Sequence, residues 1–241
     1  MSLQGKTVLI TGGGVRIGRA LALIVAQHGA DVIIHYNHSR EQAEEVRSEI
    51  QAIGRTAHLL QADLSNPRRA AQLVTRAHNF GSIFALVNNA AIFEPLTFQQ
   101  TNLDDWERHL TLNLTAPFLT SQAFAAILRP GEEVRIINIL DWRALRPGGD
   151  HFPYTISKAA LAALTRSLAV ALAPQITVNA LALGAILPPS NGTASDNITQ
   201  NIPAGRWADI NEVGEALIFL LKGPTYITGE ILQLDGGRHL I

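Results

Sequence analysis

"KTVLITGGGVRIGRALALIVAQHGADVIIHYNHSR", residues 6–40, decides the fold. "KTVLIT" (6–11) reads as a strand buried on both faces, because its apolar residues are consecutive rather than alternating. The glycine cluster "TGGGVRIG" (11–18) follows at once. Residues 16–29 carry a helical pattern that ends at Gly29, and "DVIIHY" (31–36) is a second apolar strand. Strand, glycine turn, helix and strand make a βαβ unit, which forces the two strands to be parallel.

The alternation continues down the chain. A charged amphipathic helix over 39–53 closes at Gly54. A third strand lies within 56–64, a helix around 67–78, and a fourth strand at 83–90. Residues 103–128 form a long helical region in which Pro117 is expected to make a kink. Strands at 133–140, 176–183 and 230–235 are separated by helices at about 152–173 and 211–222. The pattern predicts one doubly wound α/β Rossmann domain over 1–241, a seven-stranded parallel sheet flanked by helices. Residues 184–209 lack a clear pattern and exceed an ordinary connection, so they are read as a loop over the substrate.

Composition narrows the function. The 241 residues include no cysteine, which excludes disulfides, thiolate metal sites and a cysteine nucleophile. Lys and Arg number 19 against 20 Asp and Glu, and they are scattered, so no nucleic-acid partner is expected. No apolar run is read as a membrane span, and no signal peptide is recognised at the start; the expected location is the cytoplasm. The eight histidines form no metal-binding spacing, so no metal site is expected. No G-x-S-x-G elbow appears, which disfavours a serine hydrolase.

The glycine turn sits where a dinucleotide pyrophosphate would meet a helix N-terminus. Gly12 permits the tight turn, and Gly18 lets the helix pack closely on the strand; Arg16 and Ile17 stand between them. A plain βα turn would use glycine for the same geometry. The end of the second strand favours a nucleotide. It reads "HYNHSR", with no carboxylate for a ribose 2′-hydroxyl, while His38, Ser39 and Arg40 can donate to a 2′-phosphate. NADP(H) is therefore the expected cofactor, although the same residues would also suit a solvated helix start capped by Ser39.

Tyr154 and Lys158 are four residues apart on a predicted helix, so they share one face. An ammonium beside a phenol is expected to lower the phenol's pKa. Taken alone, such a pair is as easily a surface contact. The glycine turn, "NNA" (88–90), Asn113, Tyr154 and Lys158 together resemble the short-chain dehydrogenase/reductase family, over essentially the whole chain. The resemblance implies NAD(P)-dependent hydride transfer, a small-molecule substrate and a homotetramer. It makes Tyr154 the proton donor, Lys158 the ribose-binding group that tunes it, and Asn113 the support of a proton-relay water. It places Asp63 and Leu64 beside the adenine, and Asn89 and Ala90 beside the adenosine ribose.

Several departures from the family pattern are informative. Asp141 stands where most members have serine, Arg16 where most have glycine, and Leu183 before Gly184 where proline is usual. Pro188 takes the place of a threonine that often holds the carboxamide. Arginine in the loop with aspartate before the tyrosine is similar to the pteridine reductase branch, including dihydromonapterin reductases. That branch implies a pterin stacked on Phe93, gripped by Arg16 and met by Asp141 and Tyr154. Ala91 departs from it, standing where some of its members carry a pterin-contacting serine. Alternatives remain: Phe93 as a core aromatic, Asp141 as a loop cap, Arg16 serving only the cofactor. His151, near Tyr154, is read as a loop histidine. The leading expectation is an NADPH-dependent pterin reductase. A carbonyl reductase, for a 3-oxoacyl thioester or small ketone, is the rival enzyme, and a non-catalytic NADP sensor the rival of another class.

Overall fold

A computed structural model describes residues 2–188 and 198–241. Seven strands form one sheet: β1 Thr7–Ile10, β2 Asp31–Tyr36, β3 Ala57–Gln61, β4 Ala85–Asn88, β5 Val134–Asp141, β6 Ile176–Leu183 and β7 Ile231–Leu234. Every pairing is parallel, in the order β3-β2-β1-β4-β5-β6-β7. The doubly wound sheet expected from the alternation is therefore present. Its winding reverses between β1 and β4, and the crevice beyond their carboxyl ends is where such sheets take ligands.

The helices are α1 Arg16–Gln27, α2 Arg40–Ala52, α3 Pro67–His78, α4 Leu103–Leu110, α5 Ala116–Ala126, α6 Phe152–Leu172 and α7 Ile210–Lys222. Strand side chains alternate between the two faces. Val8 and Ile10 of β1 pack with α1, α2 and α7, whereas Leu9 packs with α3 and α5. The start of α3 is fixed by Asn66, whose side chain accepts from the Arg68 and Arg69 N–H groups. The starts of α4 and α7 are each closed by a reciprocal box, Asn102 with Asp105 and Asp209 with Glu212.

Two expectations need correction. The helical region over 103–128 is not one continuous α-helix: a π-helical turn at Thr111–Thr115 divides it, and Pro117 lies in the first turn of α5. Pro117 has no N–H, so it cannot close an i→i−4 bond to Asn113, and the wider turn accommodates that loss. Secondly, α6 is long and apolar enough to pass as a membrane span by length and composition. It is a helix of the fold: it buries Tyr154 and Lys158 at its start and packs along β6 and β5. Part of the predicted 184–209 loop, residues 189–197, lies outside the described residues. Its remainder includes a short 3-10 turn at Thr199–Asn201, and the Ala208 N–H donates to Ala185 O at 3.0 Å.

Candidate active site

The glycine turn is built for close backbone approach. Gly12 has φ +64°. A side chain at Gly18 would place Cβ 2.0 Å from the Gly12 carbonyl oxygen, so only glycine lets α1 sit on the turn. Arg16 has φ +50°, in the left-handed region that glycine prefers. This accounts for glycine being usual there, and it makes the arginine a costly choice. Its Nη2 donates to Pro188 O at 2.9 Å, which ties α1 to the segment after β6.

A residue that sequence reading passed over holds this turn. His35 of β2 is buried, and its Nδ1 accepts from the Gly12 N–H at 3.0 Å. The proton therefore sits on Nε2, which donates to Ala62 O at 3.0 Å. Burial pushes its pKa down to about 4, so the ring is neutral at ordinary pH. The one signal available was a histidine within an apolar strand. Thr11 was passed over as well. Its Oγ1 accepts from the Asn89 and Ala90 N–H groups at 2.9 and 3.0 Å, and Asn89 Nδ2 donates back to Thr11 O at 2.9 Å. Thus β1, β2 and β4 all grip the turn.

At the end of β2, His38, Ser39 and Arg40 surround the start of α2. Ser39 occupies the cap position, but its hydroxyl makes no capping bond. Asp63 beyond β3 accepts from the Ser65 N–H and Oγ, which hold its carboxyl below the usual range. Leu64 is buried in the core, so only its backbone can meet a ligand.

Asn113 lies fully buried in the π turn. Its Oδ1 accepts from the Ile92 N–H at 2.9 Å, and its Nδ2 donates to Ile92 O and Ser157 Oγ at 3.1 and 3.0 Å. The amide is a clamp between the segment after β4 and α6. What Asn113 can offer a relay water is its main-chain carbonyl, to which Pro117 brings no N–H.

Tyr154 and Lys158 both point inward. Lys158 Nζ donates to Ile139 O at 2.7 Å and lies 5.7 Å from the Tyr154 ring centre. Tyr154 Oη donates to Asp141 Oδ2 at a long 3.4 Å. The other oxygen, Asp141 Oδ1, accepts from the Arg143 N–H at 2.9 Å and faces its Nη1 at 3.5 Å. The electrostatics run opposite to the expected lowering of the phenol pKa. Burial and the adjacent Asp141 carboxylate push Tyr154 well above its ordinary value. Burial brings Lys158 down to about 8, with Asp141 opposing that fall. Burial also raises Asp141, against the pull of Arg143 and Lys158. The phenol is consequently a retained proton, which is the state a donor requires.

Phe93 is 52% exposed beside this pair, so it is not a core aromatic. Its ring meets Tyr154 edge-on at 4.7 Å and stacks on His151 at 3.9 Å with 8° between planes. His151 is thus more than a loop residue. It has φ +50° and pairs with Asp150, which also holds Arg143 at 2.7 Å. Arg143, Asp150 and His151 complete a cluster that the short motifs did not contain.

Comparison with known proteins follows this geometry. The family model described as enoyl-(acyl carrier protein) reductase matches residues 14–239. A 3-oxoacyl-[acyl-carrier-protein] reductase from Synechocystis sp. is 34% identical, with 98% of each chain covered. The crystal structure of the FolM alternative dihydrofolate reductase 1 from Brucella canis, complexed with NADP, is 34% identical with a TM-score of 0.92, covering 100% of this chain and 97% of that one. A short chain dehydrogenase from Burkholderia cenocepacia, in complex with NADP, is 36% identical with a TM-score of 0.92 and 99% of each chain covered.

Proposed function

The chain belongs to the short-chain dehydrogenase/reductase family, and from that premise we propose that it is an NADPH-dependent reductase of a dihydropterin-type substrate. The single observation that carries the substrate reading is the Asp141 carboxylate held at the Tyr154 phenol beside an exposed flat ring, Phe93. A pterin has π-rich faces for Phe93 and ring N–H and amino groups for a carboxylate. A simple ketone brings no N–H donor to Asp141 Oδ2, which then keeps only the long bond from Tyr154, while Oδ1 is already held by Arg143.

The residues present fit the cofactor. The Gly12–Gly18 turn and the N-terminus of α1 suit a pyrophosphate. His38, Ser39 and Arg40, with no acidic residue among them, suit a 2′-phosphate. Asp63, Leu64, Asn89 and Ala90 line the ends of β3 and β4, where the adenosine half would lie. Bound NADPH supplies the hydride.

The chain's own residues manage the proton. Tyr154 Oη gives its proton to the nitrogen or oxygen of the reduced double bond. Lys158, whose Nζ lies on the Tyr154 side of the helix, stabilises the phenolate left behind. Asp141, turned by Arg143, orients the substrate edge toward that phenol. Asn113 fixes the π turn against Ile92, and its main-chain carbonyl, which Pro117 cannot pair, is the group offered to the water that returns a proton. Arg16, whose Nη2 now donates to Pro188 O, would meet the pterin and the phosphates from the loop. The exposed apolar side chains Phe118 on α5 and Val170 on α6 support the homotetramer that the family implies.

The names of relatives favour one second reading, reduction of a 3-oxoacyl thioester. NADPH oxidation followed with dihydrobiopterin, and in parallel with an acetoacetyl thioester, separates the two. Faster turnover of the thioester overturns the pterin reading. Tight NADPH binding without turnover of either returns the sensor.

A further inference from the structure

Next to the acid pair stands a group of cations of which the proposed mechanism uses only Arg143, to hold Asp141. Trp142 follows Asp141 and carries two guanidinium groups against its ring, Arg238 at 4.2 Å and Arg143 at 4.9 Å. Arg143 also lies 5.7 Å from the Phe93 ring centre, so a continuous path of contacts leads outward from the flat seat to Arg238. Arg146 Nη1 donates to the Arg238 carbonyl at 3.2 Å.

Arg143 engages both nearby carboxylates, Asp141 and Asp150. Asp235 is occupied elsewhere: it accepts from the Gly237 N–H and pairs with His239. Among the described residues, the Arg238 guanidinium has no ion-pair partner. Burial and the neighbouring Arg143 both work against its charge, lowering its pKa. Yet its backbone is fixed. The Arg238 N–H donates to Asp235 O at 3.2 Å, and Asp235 Oδ2 accepts from the His239 N–H at 2.9 Å.

We propose that Arg238, platformed on Trp142 and backed by Arg146, is a subsite for an anionic group on the tail of the substrate, a carboxylate or a phosphate. The proposal rests on the reading of a flat ring seated at Phe93 and Asp141. A planar guanidinium suits either anion by paired hydrogen bonds. Stacking on the indole fixes its plane in advance, so less side-chain freedom is lost on binding. An anion there relieves the repulsion between Arg143 and Arg238.

The test uses dihydropterins that share a ring and differ in the tail: dihydrobiopterin, neutral; dihydrofolate, bearing glutamyl carboxylates; and dihydroneopterin phosphate. Arg238→Gln is expected to raise KM about tenfold for a charged tail, as loss of one charge-assisted bond implies. It should leave kcat, and KM for the neutral tail, within about twofold. The charged tail that loses more identifies the anion. Equal effects on neutral and charged tails, or none, overturn the subsite. A binding arm stands apart from turnover: p-aminobenzoylglutamate, a charged tail with no pterin, is titrated calorimetrically into both proteins. About tenfold weaker binding to Arg238→Gln supports the subsite, while equal affinity, or no saturable binding to the parent protein, overturns it. If no dihydropterin is turned over, the proposed function fails by itself and the fragment still decides the subsite.

Discussion

His35 should give the protein a defined acid sensitivity. In an unfolded chain its imidazole titrates near its ordinary 6.5, whereas in the fold burial holds it near 4. Below pH 6.5 the unfolded chain therefore takes up a proton that the folded chain refuses. The stability contribution is complete above 6.5, is lost as pH falls through the window, and levels off below about 4. Each pH unit inside that window removes about 1.4 kcal/mol, so roughly 2 kcal/mol is gone at pH 5 and about 3 at its foot. His35→Gln offers an oxygen toward the Gly12 N–H and an N–H toward Ala62 O without titrating. Urea unfolding of both proteins at pH 7 and pH 5 measures the difference. The parent protein should lose about 2 kcal/mol more than the variant across that interval. Equal losses would refute the assignment. His35→Leu should cost about 2–4 kcal/mol at pH 7, because it strands the Gly12 N–H and the Ala62 carbonyl in a buried site. It should also weaken NADPH binding, since the same turn cradles the pyrophosphate.

Four further outcomes are expected. Asp141→Ala should cut dihydropterin turnover about a hundredfold, as loss of the group that orients the substrate at Tyr154 implies; unchanged kcat removes that role. Neutralising His38 and Arg40 together should narrow the NADPH-over-NADH preference in kcat/KM by about a hundredfold or more, the effect of two charge-assisted bonds; no change places the 2′-phosphate elsewhere. The kcat/KM profile should fall on the basic side near pH 8, as free Lys158 gives up its proton. Lys158→Arg should push that limb beyond the measurable range, whereas a limb that stays put belongs to another group. Arg16→Gly should stabilise the protein by about 1 kcal/mol by relieving the left-handed backbone while raising KM for the dihydropterin. A lower melting temperature would show that the bond to Pro188 outweighs the strain.

What could be read before folding was set by local chemistry. Continuous apolar runs located the strands because both faces of a parallel sheet are buried, as β6 is along all its eight residues. Gly12 and Gly18 were legible because a tight turn with positive φ and a close helix–turn contact both favour glycine. The Tyr154–Lys158 pair was legible because helical spacing places both on one face. Contacts made across the sequence were harder to see. Nothing near His35 announces that it reaches Gly12, 23 positions away. No motif marks Arg143 and Asp150, which meet Asp141 and His151 only once the β5–α6 connection has folded. The π turn escaped because its cause is a missing N–H at Pro117, and the same residue suggested an ordinary kink.

The acid pair shows why the surroundings matter more than the motif. A lysine one helical turn from a tyrosine is usually read as the means of making a phenolate. In this site Lys158 has spent its short bond on Ile139 O, and the phenol's hydrogen-bond partner is Asp141. Burial penalises every charge in the group, and it penalises an unpaired phenolate beside a carboxylate most. Tyr154 therefore rests as the phenol, while at Asp141 burial favours the acid and Arg143 and Lys158 favour the carboxylate. A substrate edge rich in N–H groups would satisfy Asp141 and lessen its repulsion of the phenolate. The Tyr154 proton would then become transferable when, and only when, the partner has bound. On the proposed reading, this coupling would tie proton release to the identity of the ligand, and an aspartate in place of the usual serine would then favour a nitrogen-bearing substrate over a bare carbonyl.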